Sequence, residues 1–290
     1  MKIKFSLLLF LISIFVSCQS NNSIKKNLIT GITTIGDGLS CSTVFLSDET
    51  NKIERTTFTY GERFYLNFDN ITGFIKKNDY VFPGMRLTIT DKAGDTLLFK
   101  NDMYEKNTSG FNLSPLLLRA NIITGAPIHS KKEYNANVYI WDKIGKGTYN
   151  AKMKFKVIAN DKLSIINEGV SYDELYLFSL EENAAIIDGE IKFDQTIYCM
   201  IEGLNGFKVE NQKVAIGLKM IITDANGMVI LNEEDLVGDM VINSLELTKQ
   251  LAPKFTISPS NIKNPLTCEI MVWDKRSSNK LSISTRLNIK

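Results

Sequence analysis

A single histidine, His129, serves all 290 residues. That scarcity excludes a histidine-rich metal centre and leaves a Ser/His/Asp triad only one position for its base. His129 sits in Ala126-Pro127-Ile128-His129-Ser130, where a solvated loop histidine is the ordinary expectation. Charge of one sign is equally scarce. The chain has 34 Lys and Arg against 32 Asp and Glu, a net of +2. Lys2 and Lys4 belong to a leader, and without them the balance is 32 to 32 (34 − 2 = 32). Binding nucleic acid by counterion release needs a basic surplus, so that class is excluded. The six prolines build no Pro-rich linker. One hydrophobic run stands out, residues 5–16, apolar except for Ser6 and Ser13. It is too short for a spanning helix and has the proportions of a signal-peptide core.

What the chain does contain is a repeat. Residues 73–98 read GFIKKNDYVFPGMRLTITDKAGDTLL and residues 206–231 read GFKVENQKVAIGLKMIITDANGMVIL, an offset of 133 (206 − 73). Val138-Tyr139-Ile140-Trp141-Asp142-Lys143 returns as Ile270-Met271-Val272-Trp273-Asp274-Lys275, offset 132 (273 − 141). The periodicity within each copy is two. Met153, Phe155 and Val157 alternate with Lys152, Lys154 and Lys156; Met85, Leu87 and Ile89 alternate with Arg86, Thr88 and Thr90. Leu218, Met220 and Ile222 keep the phase, as do Ile283, Leu287 and Ile289, and Phe64, Leu66 and Phe68 form another inward row. Asp91-Lys92-Ala93-Gly94 and Asp224-Ala225-Asn226-Gly227 read as hairpin turns, and the stretches after Trp141 and Trp273 as a second pair. The pattern predicts an all-β chain of two tandem antiparallel sandwiches, residues 28–158 and 159–290, abutting without a flexible linker. A long connection interrupts each copy, over 101–133 and 232–265. Ser114-Pro115-Leu116 is expected to start a helical turn in the first, with Ser244-Leu245-Glu246-Leu247 as its weaker equivalent.

Phe15-Val16-Ser17-Cys18, followed by Gln19-Ser20-Asn21-Asn22-Ser23, resembles the lipobox of bacterial lipoproteins, with Phe15 where Leu is usual. The resemblance implies a signal peptide over 1–17, acyl chains (palmitate among them) on Cys18, and a polar tether over 18–27. More than one chain gives stable anchoring at about 0.8 kcal/mol per buried CH₂. Gln19 is not the Asp of an inner-membrane retention signal, which favours the outer membrane. Plain cleavage near Ser17 is the alternative. The two repeats resemble the tandem immunoglobulin-like sandwiches of bacterial envelope proteins, and the Lys/Asn/Ile-rich usage resembles that of Bacteroidota lipoproteins. The Cys…Trp…Cys spacing of antibody domains is absent.

A repeat also sorts candidate residues. Asp91/Asp224 and Asp142/Asp274 recur; they could collect calcium, but turn-initiating aspartates that cap amides are the expectation, and no metal or other cofactor is assigned. Trp141/Trp273 and Phe74/Phe207 recur and read as packing. Cys199 and Cys268 fall on Leu66 and Ala136 of the first copy, which favours buried thiols, with a Cys199–Cys268 bridge as the alternative. Cys41 has no evident partner. Aromatics that do not recur are the better ligand candidates: Tyr80, Phe82, Tyr104, Phe111 and Tyr134. Asp95-Thr96-Leu97 resembles the O-glycosylation motif of Bacteroidota exported proteins and makes Thr96 a candidate acceptor. The sequence therefore reads as a non-enzymatic, lipid-anchored envelope protein acting as a protein-interaction or structural module. A glycan-binding lipoprotein of a polysaccharide-uptake system and a pilus or adhesin subunit are the alternatives.

Overall fold

The computed structural model describes residues 22–258 and 261–290; the leader and Cys18 lie outside the described residues. Alternating apolar residues give the first copy eleven strands: β1 Asn22–Lys26, β2 Thr33–Asp37, β3 Ser40–Ser47, β4 Lys52–Ile53, β5 Thr57–Thr59, β6 Arg63–Thr72, β7 Pro83–Asp91, β8 Thr96–Lys100, β9 Leu118–Ile123, β10 Lys132–Asp142 and β11 Thr148–Ile158. They form two sheets. One has the order β4-β3-β6-β9; the other runs β1-β2-β11-β10-β7-β8, with β5 joining β11 in parallel. This strand order, a sheet of β3, β6 and β9 facing β11, β10, β7 and β8, is immunoglobulin-like. The inward rows close between the sheets: Phe64, Leu66, Phe68, Met85 and Ile89 are fully buried.

The second copy repeats the plan with β12 Ser164–Glu168, β13 Glu174–Ser179, β14 Ala184–Ile186, β15 Glu190–Ile191, β16 Thr196–Glu202, β17 Lys213–Val214, β18 Ile216–Thr223, β19 Val229–Glu233, β20 Ile242–Asn243, α1 Ser244–Lys249, β21 Gln250–Leu251, β22 Lys254–Thr256, β23 Leu266–Asp274 and β24 Lys280–Ile289. One sheet is β12-β24-β23-β18-β19, with β15 parallel to β24; the other is β14-β13-β16, flanked by β21 and β22. Two separate cores result, one drawn from Ile32 to Val157 and one from Leu163 to Leu287.

Three segments depart from the sequence reading. Residues 22–26, taken as tether, pair with β2 as strand β1, Ile24 opposite Ile35. The connection over 101–133 contains β9, whose Leu118, Ala120 and Ile122 point inward while Arg119, Asn121 and Ile123 point out. The helical turn belongs to the second copy alone. Asn243 caps α1 by accepting from Leu245 N–H at 2.9 Å, and Leu247 anchors it in the core. In the first copy Leu116 reaches the core from extended chain, its carbonyl accepting from Ile71 N–H at 3.1 Å.

Candidate functional site

The recurring aspartates hold loops to strands. Asp142 Oδ2 accepts from Ile75 N–H at 2.7 Å, and Asp274 Oδ2 accepts from Lys208 N–H at the same distance. Each also accepts within its own turn, from Ile144 at 2.9 Å and Arg276 at 3.0 Å. Asp91 Oδ1 holds the amides of Gly94 and Asp95, and Asp224 Oδ1 those of Asn226 and Met228. Backbone donors that would lack partners are satisfied this way, and the carboxylates are spent on the scaffold. Among the described residues no group of three His, Cys, Asp or Glu could hold a metal ion.

A third pair escaped the sequence reading. Asp102 Oδ1 accepts from Met85 and Tyr104 N–H, while Oδ2 meets Lys143 Nζ at 2.7 Å. Asp235, 133 residues on, accepts from Leu218, Val237 and Gly238 N–H and meets Lys275 Nζ at 2.6 Å. Burial opposes ionisation of both carboxyls, but the lysine hydrogen bond and the backbone donors outweigh it and hold them below the usual carboxylate range. The signal was available: both aspartates sit at the repeat offset, as do their lysines.

The tryptophans recur because a glycine lies beneath each. A Cβ built on Gly84 would fall 2.1 Å from Trp141, and one on Gly217 would fall 2.0 Å from Trp273. Each indole lies over the backbone of the neighbouring strand, β10 on β7 and β23 on β18. Phe207 is buried and Phe74 packs on the first core.

Of the five unshared aromatics, four lie on neighbouring backbone and one does not, and the rings in contact are Tyr104 and Phe111. Val81 and Phe111 form a backbone bridge, with N···O distances of 2.9 and 2.8 Å, which sets Tyr80 and Phe82 beside Phe111. Tyr104 meets Phe111 edge-on at 5.5 Å, and its hydroxyl accepts from Arg119 N–H at 3.1 Å. Phe82 lies against Gly110, where no side chain would fit. Tyr80, 40% exposed, is the accessible member. Tyr134 is not a loop aromatic. It lies in β10, 1% exposed, tilted onto Phe155, and only its hydroxyl reaches out to the His129 carbonyl at 2.7 Å. The alternation of Tyr134, Ala136, Val138 and Ile140 was the missed signal.

The three described cysteines are buried free thiols. Burial pushes Cys41 up to about 11 and Cys268 up to about 12, and raises Cys199 further. Thr96, in the glycosylation-like motif, is exposed at the start of β8.

The remaining polar cluster lies where the two sandwiches meet. One end of the first stands against the outward side of β13 and β16. Glu174, with its side chain 4% exposed, accepts from Ser130 N–H at 2.7 Å and lies 3.4 Å from His129 Nδ1. Glu202 accepts from the hydroxyls of Tyr60 and Tyr176 at 3.3 and 2.9 Å. The two rings meet edge-on at 5.3 Å, and Tyr176, from the second sandwich, packs on the first core. Burial and then the Glu202 charge raise both hydroxyls above the usual tyrosine range. Sequence reasoning placed His129 in solvent. It is instead partly covered at the seam, and no repeat could signal this, because each copy contributes a different surface to it.

No protein-family model matches the chain, and no curated protein does. Among solved structures, the chain is similar to the C-terminal domain of Wzt at 9% identity, over 45% of this chain and 79% of that one, with a TM-score of 0.27. It is similar to latent PorU from Porphyromonas gingivalis at 10% identity, over 87% of this chain but 20% of that one, TM-score 0.26. Fibronectin(III)-like modules of Clostridium thermocellum CbhA match at 9% identity, over 84% and 94%, TM-score 0.20. All three scores lie below 0.5, so the immunoglobulin-like assignment rests on the strand order described above.

Proposed function

We propose that this is a lipid-anchored envelope protein, attached through acyl chains on Cys18, whose two sandwiches act as one fixed module for protein contact without catalytic turnover. The seam carries this reading. A module that presents loops to a partner needs its parts held at a defined angle, and the Glu174 and Glu202 hydrogen bonds tie the end of one sandwich to the side of the other. The duplicated aspartates add to it, since their oxygens are engaged by backbone amides. Spin labels, one per sandwich, should give a narrow distance distribution that broadens in the Glu174→Ala/Glu202→Ala variant. Cross-linking to envelope proteins should weaken with it. Undiminished cross-linking in a loosened variant would refute the fixed module. Anchoring is read separately, by incorporation of an alkyne-labelled palmitate into the outer-membrane fraction and its loss in Cys18→Ser. The neighbouring loops that carry Tyr80, Phe82, Tyr104 and Phe111, with Tyr80 the exposed ring, favour glycan binding as a second reading. In that case Tyr80→Ala should abolish retention on a glycan column while leaving the unfolding transition unchanged.

A further inference from the structure

The outer face of the sheet containing β11 differs between the copies. In the first, Lys152, Lys154 and Lys156 stand in a row, all exposed, and no described residue forms an ion pair with any of them. In the second, the same positions, 132 residues on, are Ser284, Arg286 and Asn288. Lys152 and Lys154 border a concavity of about 900 Å³ floored by threonine and asparagine side chains of β7 and β10, and Lys156 lines the neighbouring hollow. No Asp or Glu lines the concavity. Its rim is the turn between β1 and β2, which contributes Lys26, Leu28 and Ile29. Leu28 is 90% exposed and Ile29 67%, side by side at the tip. Glu133 lines the neighbouring hollow with Lys154 and Lys156 and stands opposite Lys156 across the β10–β11 ladder, where it faces Lys92 at 3.9 Å. The corresponding hollow of the second sandwich is apolar, holds one acid, Glu269, and its one lysine, Lys219, is paired with Glu234 at 2.5 Å.

Two adjacent aliphatic side chains held in water beside a row of unpaired lysines match the requirements of a charged bilayer surface. The aliphatic tip enters the headgroup region and the lysines meet anionic lipid. We propose that the first sandwich docks flat on an anionic membrane through Leu28, Ile29, Lys26, Lys152, Lys154 and Lys156. The charge complementarity selects the occupant, and the tip separates a lipid surface from a soluble polyanion, which would have no use for Leu28 and Ile29. The inference does not rest on acylation of Cys18, because both the tip and the row lie within the described fold.

The test uses the full chain, purified in detergent and mixed with vesicles of phosphatidylglycerol and phosphatidylethanolamine, or of phosphatidylcholine alone. Flotation reports attachment, and acetic anhydride labelling read by mass spectrometry reports the docked face. On anionic vesicles the four named lysines should label about fivefold more slowly than on neutral ones, the factor expected for one lysine–surface contact, while Lys219 labels equally on both. Leu28→Ser/Ile29→Ser changes only exposed side chains and should remove most of that protection. Equal labelling on both vesicles, with the protein floating on both, overturns the docking face and leaves the anchor standing. Flotation on anionic vesicles alone supports the face and removes the anchor, and flotation on neither removes both. Equal protection by soluble polyphosphate, unaffected by Leu28→Ser/Ile29→Ser, reassigns the face to a soluble polyanion and overturns the proposal.

Discussion

The first core stacks rings where the second, at the same positions, packs aliphatic chains. In the first, Phe58 and Phe64 stack at 3.8 Å, Phe155 meets both edge-on at 6.2 and 5.7 Å, and Tyr134 tilts onto Phe155 at 5.4 Å. Phe68 and Tyr149 form a second edge-on pair at 6.2 Å. The positions at the repeat offset are Ile191, Ile197, Leu287, Leu266, Ile201 and Leu281, all buried. The same strand order therefore forms around two unrelated sets of core shapes. What the copies share is elsewhere: Trp over Gly, Asp holding a distant amide, and Lys on Asp. Alternation and these fixed contacts specify the fold, and the core interior need only fill the volume between the sheets.

The sharpest way to break that comparison is to hollow the two cores at one position. Phe155→Ala should cost about 3–5 kcal/mol and Leu287→Ala about 2–5, with the aromatic loss the larger because three rings lose a neighbour. Urea unfolding of each variant reads this, and a greater loss at Leu287 would contradict it. Next come the shared contacts. Gly84→Ala and Gly217→Ala should each cost about 1–3 kcal/mol by displacing an indole, and by similar amounts. Unequal losses, or unmoved tryptophan fluorescence, would show that the two contacts are not one device.

Acid should then weaken both copies. Asp48 and Asp102 of the first sandwich and Asp224, Asp235 and Asp274 of the second are each held below the ordinary value of 3.8. A depressed folded-state value means stability that is present above the unfolded value and lost as pH falls through the folded one. Below about pH 4 both sandwiches should lose stability, followed by hydrogen exchange at each core, and a copy left unchanged there would break the parallel. The smallest effect is expected from transplanting the first copy's residues into the second. Cys199→Leu with Cys268→Ala should shift stability by less than about 1.5 kcal/mol, since the aligned positions already accept Leu66 and Ala136.

Much of this was legible because duplication marks the positions that a fold requires. The paired strands, both hairpins and the role of Asp142 and Asp274 follow from residues that recur. Strand β9 escaped because Ala120 and Asn121 are weak strand formers and Ile123 breaks the polar phase. Helix α1 forms at Ser244, the weaker of the two expected starts, capped by Asn243, while Ser114-Pro115 looks like a start signal and leads into extended chain. The seam could not be read at all. Ser130, His129 and Tyr60 meet Glu174 and Glu202 across more than forty residues, and no local pattern reports which end of one sandwich meets which side of another.

Strand β1 has a further consequence, which concerns reach. A leash running freely from Cys18 to Asn27 could extend about 32 Å, but one that ends where Asn22 enters the sheet can extend no more than about 14 Å. Five residues of pairing thus remove over half the play between an acylated Cys18 and the first sandwich. Were Cys18 acylated as proposed, the molecule would ride close to its membrane, and a partner would have to come down to the bilayer to meet it.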